Sequence, residues 1–187
     1  MWRVLRRPLV PKAGEIVSLD LETSSLDPKT AVILSIAAVP VRDRRILLSE
    51  GFERKVASDA PVDREAVKYH RLRPVDVAQG ATAADAADDF VAWLGDRPVI
   101  GYCTGFDCAM LDRVLREGGR PGFEPDCFDV RDLYRRAILR RNPEDSPPRA
   151  LDEILARLGV PVVARHTARG DATAVAMAYL LLSEGRG

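Results

Sequence analysis

The run Val17-Ser18-Leu19-Asp20-Leu21-Glu22-Thr23 puts two acids, two residues apart, inside an apolar, strand-like stretch. Successive strand side chains point to opposite faces, so Asp20 and Glu22 share one face while Val17, Leu19 and Leu21 line the other. Two carboxylates held side by side repel each other and lose hydration unless a cation or a proton compensates them. Asp is also depleted from strand interiors. The stretch is therefore either an exposed edge or part of a metal site.

The surrounding pattern predicts a mixed sheet. A strand is expected at about 15–21, and a turn at Ser24-Ser25-Leu26-Asp27-Pro28. A nearly all-apolar, β-branched strand follows over Val32–Val39, as suits a central position. Asp43-Arg44 reads as a hairpin turn into Arg45–Ser49, giving three antiparallel strands in the first 50 residues. Pro61–Pro74 reads as a polar connection with short helical turns. Beyond it, helices are expected at about 82–94, 106–117, 130–140, 150–158 and 171–183, with short strands at 98–102 and 127–129. Antiparallel strands followed by alternating strands and helices predict an α/β fold, a mixed five-stranded sheet flanked by helices. Residues 1–14 read as an irregular N-terminal arm and 15–183 as one domain.

Two further acids head apolar helix faces. Asp107 is followed at helical spacing by Met110, Leu111, Val114 and Leu115, and Asp171 by Val175, Tyr179 and Leu182. An acid in a first helical turn interacts well with the helix dipole, which accounts for either residue taken singly. It does not account for both heading the buried face. With Asp20 and Glu22, four carboxylates from three elements can converge on one sheet. Oxygen-only ligation suits Mg²⁺ or Mn²⁺ better than zinc. His166 lies five residues before Asp171, in the expected loop ahead of the helix, and is a candidate general base. His70 reads as a structural or surface residue.

These residues, in this order, resemble the DEDDh superfamily of 3′–5′ exonucleases, the group that contains the proofreading epsilon subunit of DNA polymerase III. Asp20-Leu21-Glu22-Thr23 is similar to its first motif, Val99-Ile100-Gly101-Tyr102-Cys103-Thr104-Gly105-Phe106-Asp107 to its second, and His166 with Asp171 to its third. The likeness runs from about residue 15 to 183. Two positions of the second motif depart from the family pattern: Cys103 stands where Asn is usual and Tyr102 where His is frequent. The first motif also lacks the usual Gly at Ser25.

The resemblance implies an RNase H-like sheet and phosphodiester hydrolysis from a nucleic-acid 3′ end with two divalent cations, releasing nucleoside monophosphates. It implies that Asp20 bridges both ions, that Glu22 and Asp171 hold one, that Asp107 supports the other, and that His166 takes a proton from water. It places Thr23 and Leu26 against the terminal nucleotide. Phe106 is either a base-stacking residue or a plain core aromatic. Single-stranded or frayed DNA is the expected substrate. RNA-directed hydrolysis and a non-catalytic nucleic-acid-binding module of the same fold are the alternatives.

Composition narrows the partners. Twenty-eight Lys and Arg balance 28 Asp and Glu, so no global basic field announces nucleic acid. Charge is nevertheless uneven: from Arg131 to Arg169, nine arginines face five acids, and Arg3, Arg6, Arg7 and Lys12 face none in the first 14 residues. Three cysteines without a C-x-x-C pair argue against a disulfide framework or zinc site and suit a reducing, cytoplasmic setting. No membrane segment is expected. A polymerase or other replication or repair partner, and a homodimer, are among the expected associations.

Overall fold

The computed structural model describes residues 14–58 and 80–184. The expected Pro61–Pro74 connection, His70 and nearly all of the N-terminal arm lie outside them.

The strands are β1 (Glu15–Thr23), β2 (Ile33–Arg42), β3 (Arg45–Ile46), β4 (Phe52–Lys55), β5 (Val99–Gly101) and β6 (Cys127–Asp129). The helices are α1 (Ala83–Leu94), α2 (Thr104–Glu117), α3 (Val130–Arg141), α4 (Leu151–Leu158) and α5 (Ala168–Glu184). The sheet order is β3-β2-β1-β5-β6, with β4 also pairing β2. β1 is antiparallel to β2 and parallel to β5, and β5 is parallel to β6.

One expectation is corrected. The sheet has six strands, not five, because the outer partner of β2 is split in two. After the tight turn at Asp43 (φ 49°) and Arg44 (φ 61°), β3 lasts only two residues. A 3₁₀ turn at Leu48–Glu50 then lifts the chain away, and β4 rejoins the same edge opposite Ser35–Ala38. Pro40 sits at the gap. It has no N–H to offer an outer strand, and its carbonyl accepts the Leu47 N–H at 2.9 Å.

Two apolar cores cover the two faces of the sheet. On one, Val17, Leu19 and Leu21 pack with Phe90 and Leu94 of α1 and with Met110 and Leu111 of α2. On the other, Ile16, Val39 and Val41 pack with α3, α4 and α5 through Leu133, Ile154 and Val175. α1 begins where Thr82 accepts the Asp85 N–H at 3.1 Å and ends at Gly95, whose φ of 57° a side chain would oppose. The Cys108 and Cys127 sulfurs lie 2.7 Å apart between α2 and β6. Among the described residues no helix is long and apolar enough to cross a membrane.

Gly101 makes the close approach that positions the strand end beside α2. A Cβ there would lie 2.9 Å from the Leu19 carbonyl oxygen and 2.8 Å from Thr104 Oγ1. Lacking it, β5 can end tightly against β1, and the chain turns straight into α2.

Candidate active site

The site forms at the carboxyl end of β1, where the paired part of β5 has stopped. β5 pairs with β1 only at Val17 and Ser18, so Asp20 and Glu22 extend beyond it. Such openings at strand ends are where α/β sheets hold ligands. Ser18, Asp20 and Glu22 share the face toward α5. The buried Ser18 hydroxyl donates to the Ala172 carbonyl at 2.7 Å, which seats the first turns of α5 on β1 and brings Asp171 to the strand acids. Just past Glu22 the register with β2 shifts: Glu22 opposes Ser35 but Thr23 opposes Ile33. This bulge ends regular pairing beside the acids, and bulges are common next to active sites.

Asp20, Glu22 and Asp171 converge, each offering one carboxylate oxygen within 4.8 Å of the others. Asp171 is buried, while Asp20 and Glu22 are half-buried. Burial first, and then Asp107, Glu22 and Asp171, hold the Asp20 carboxyl well above its usual range. Burial and Asp171 push Glu22 up to about 7. Asp107 is also raised by burial, against the hydrogen bonds its carboxylate accepts from its own N–H and that of Leu21. It acts electrostatically on Asp20 but is not among the causes acting on Glu22. The four expected carboxylates therefore divide: three form a tight group, and Asp107 approaches from the Asp20 side.

This donor set fits a hard divalent cation. Its ligand atoms are all carboxylate oxygens, and ionising them together without a cation is costly. Among the described residues the Arg165 guanidinium reaches this group, pairing with Asp171 Oδ2 and with Asp152 Oδ1 of α4 at 2.7 Å. Arg165 lowers the carboxyl pKa of both Asp20 and Glu22, but it does so less than burial raises them.

His166 lies where expected, in the loop before α5, and is half-buried. Its backbone N–H donates to Asp171 Oδ1 at 3.3 Å. The loop is held in unusual geometry, with Ala164 (φ 54°) and His166 (φ 61°) both left-handed. Non-glycine residues in that region cost roughly 1 kcal/mol or more and persist where their surroundings over-determine them. Here the determinant is Thr167. Its hydroxyl donates to the Ala164 carbonyl at 2.8 Å and accepts the Gly170 N–H at 3.1 Å, so one side chain closes the loop and caps α5. α5 accordingly starts at Ala168, three residues before the expected 171.

Arg165, Thr167, Gly170 and Ser18 are contributors that the sequence reading did not single out. Thr167 carried a readable signal, a hydroxyl residue just ahead of an apolar helix. Gly170 did not. A Cβ on Gly170 would fall inside contact distance of the Ala164 carbonyl oxygen. Gly170→Ala is expected to cost about 1–3 kcal/mol by overpacking, and it displaces the loop that carries His166. Thermal denaturation checks this, and an unchanged melting temperature would contradict the close approach.

The remaining candidates are distributed around this centre. Leu26 is 88% exposed at the tip of the turn after β1, free to meet a ligand. Arg113 of α2 pins that turn by donating to the Lys29 and Ala31 carbonyls. Thr23 is buried, and its hydroxyl is committed to the Ser25 carbonyl at 2.8 Å. Phe106 packs against the α1–α2 core, in keeping with the core-aromatic reading. Cys103, the departure from the second motif, precedes α2 at φ 56° and makes no side-chain cap. Asn tolerates that left-handed region better, a backbone reason for its usual presence there.

Comparison with known proteins places the chain in a family. Residues 17–179 match the RNase T family model, described as exonuclease. The chain belongs to this exonuclease family. It is 28% identical over 169 residues to the DNA polymerase III subunit epsilon-like protein of Rhodobacter capsulatus, covering 89% of this chain and 23% of that protein. Among solved structures, exonuclease I superposes with a TM-score of 0.78 at 16% identity over 92% of this chain and 41% of that one. The zinc-bound complex of E. coli exonuclease I with single-stranded DNA gives 0.75 at 15% identity, over 94% and 41%. The chain thus spans less than half the length of each of these relatives. The neighbours share the fold: a mixed sheet flanked by helices, RNase H-like as expected.

Proposed function

We propose that this chain is a metal-dependent 3′–5′ exonuclease that hydrolyses the terminal phosphodiester of single-stranded or frayed DNA and releases nucleoside 5′-monophosphates. The observation that carries the proposal is the convergence of Asp20, Glu22 and Asp171 within 4.8 Å, with the His166 backbone fastened to Asp171. The family membership and the DNA-bound exonuclease I neighbour support it.

In this reading Asp20, Glu22 and Asp171 would hold one divalent cation, and Asp20 with Asp107 the other. Two such ions, Mg²⁺ or Mn²⁺, would supply charge neutralisation to the attacking and leaving oxygens of an in-line displacement. His166 would accept the proton of the attacking water as general base. The left-handed loop sets where the imidazole starts from. Asp171 ties that loop to the acids, so base and carboxylates are positioned together. Leu26 borders the terminal nucleotide, with Thr23 contributing through the backbone of its turn. Phe106 supports α2 from the core.

A 3′-labelled DNA oligonucleotide with Mg²⁺ or Mn²⁺ tests the proposal. Wild type shortens it one nucleotide at a time, EDTA stops the reaction, and His166→Ala slows it by about 10²-fold or more. Wild type that leaves the oligonucleotide intact with either metal refutes the proposal. Matched RNA addresses the sugar. Recognition of a 2′-hydroxyl needs a positioned polar group; the Thr23 hydroxyl donates to the Ser25 carbonyl and keeps its acceptor capacity, and the Ser24 hydroxyl accepts the Val32 N–H and keeps its donor. Under this proposal DNA is expected to be cut at least as fast as RNA, and faster cutting of RNA favours the RNA-directed alternative.

A further inference from the structure

Among the described residues, several arginines have acidic partners: Arg42 with Glu50, Arg54 with Asp89, Arg120 with Asp88, Arg169 with Glu53. One region is different. Arg135, Arg136, Arg140 and Arg141 of α3, and Arg149 in the loop after it, are exposed, and their guanidinium groups form no ion pair or hydrogen bond among the described residues. Arg135 and Arg149, together with Arg131, line a groove of ≈ 350 Å³ between α3 and the Pro143–Arg149 loop. Pro147 and Pro148 form its stiff wall, and Asp145 is its single acid.

The groove is joined to the active site through Tyr102. That residue lies at the end of β5, just before the turn into α2 and Asp107. Its hydroxyl donates to the Arg149 carbonyl at 2.8 Å, and the Arg131 guanidinium lies 5.9 Å from its ring centroid. Asp129 caps α3 by accepting the Arg131 N–H at 2.9 Å, and it is among the charges felt by Asp107. A half-buried aromatic ring and an arginine-lined groove therefore continue outward from the acid cluster.

We infer that this groove binds the phosphate backbone of single-stranded nucleic acid, on the 5′ side of the nucleotide being removed. The inference rests on the exonuclease reading and extends it by giving the substrate a path. Arg135 and Arg149 supply charge to phosphates, Arg131 reaches over the ring, and Tyr102 presents a face on which a base can stack. The net-neutral protein thereby concentrates uncompensated positive charge next to the one place that has to receive a polyanion. The structure also gives Tyr102 a role at the position where the family often carries His.

The test separates binding from hydrolysis. A fluorescent twelve-nucleotide thymidylate is titrated in EDTA at several salt concentrations with wild type, with Arg135→Ala/Arg149→Ala, and with Arg45→Ala as a surface control. The double variant is expected to bind about tenfold more weakly. Its slope of log affinity against log salt should shrink by about 1.4, since each lost phosphate contact on a single strand contributes about 0.7. It should still hydrolyse the p-nitrophenyl ester of thymidine 5′-monophosphate at the wild-type rate, because that substrate does not reach the groove. Unchanged affinity and slope, or an equal loss in Arg45→Ala, overturns the inference. So does a double variant that loses binding of polyglutamate but not of the oligonucleotide, which would assign the groove to an acidic peptide. An active wild type with unaltered binding in the double variant removes the groove and leaves the exonuclease reading standing. An inactive wild type whose binding depends on both arginines does the reverse.

Discussion

Asp20→Asn is expected to lower hydrolysis of a 3′-labelled oligonucleotide by at least ~10³-fold and, in the same protein, to raise the melting temperature without metal. The two effects have one cause. Asp20 lies between the Glu22–Asp171 pair and Asp107, and all three push its carboxyl toward the neutral form in addition to burial. In the proposed reading, that position would make Asp20 the carboxylate shared by both ions. Losing several kcal/mol of charge stabilisation in the transition state corresponds to a rate effect of about this size. Without metal, the same carboxylate is a source of repulsion, and a neutral amide of equal shape relieves it. Radiolabelled hydrolysis and thermal denaturation in EDTA check the two halves separately. Activity within tenfold of wild type would remove Asp20 from the chemistry. A lower melting temperature would mean that its carboxylate makes structural contacts outweighing the repulsion.

Metal-free protein is expected to lose stability as pH rises from about 4.5 to about 7. Glu22 has an ordinary value of 4.5 and is pushed up to about 7 in the folded protein, chiefly by burial and then by Asp171. Between those values the folded state binds more protons than the unfolded state. Stability is therefore full below the unfolded value and falls as pH climbs through the folded one. The Glu22 shift alone corresponds to a loss on the order of 3 kcal/mol, and Asp20 acts in the same direction. Asp112, held below its usual range by Arg116, titrates beneath this window and does not offset the trend. Mn²⁺ or Mg²⁺ at pH 8 restores what was lost, because the ionised carboxylates are the form that binds metal. Urea denaturation in EDTA at pH 5 and pH 8, repeated with Mn²⁺, measures this. Equal stability at the two pH values without metal would contradict the burial and repulsion assigned to the cluster.

Much of the fold was legible because it is written in short-range periodicity. Asp20 and Glu22 share a face by the two-residue repeat of a strand, and α1, α2 and α3 begin and end within two residues of where their apolar spacing put them. β4 was missed because Phe52-Glu53-Arg54-Lys55 is polar at three of its four positions. It is a strand because the β2 edge lies open beside it. Arg169 of α5 holds the segment in place, pairing with Glu53 at 3.2 Å and donating to the Leu48 carbonyl at 3.0 Å. Those contacts span more than a hundred residues and leave no local pattern.

The active site divides along the same line. Each acid could be found from its own neighbours, because placing a carboxylate at the head of an apolar face, or twice on one strand face, is a local choice with a local cost. His166 could be found in the same way, as a loop residue just ahead of a helix. Local pattern could not show that the carboxylates would separate into a group of three with Asp107 standing apart, nor that Arg165 would reach Asp171 and Asp152 together. The left-handed turn at His166 was equally hidden, since it depends on Thr167 and on the space left by Gly170. Residue types and their order are properties of the chain, so the sequence by itself determined which carboxylates are available to a metal and which residue is the candidate base. The distances between carboxylates are set by how α2 and α5 seat on the sheet, through Gly101 at one end and the Ser18–Ala172 hydrogen bond at the other. Only the tertiary structure decided how strongly the acids repel, and therefore how much this site requires a cation.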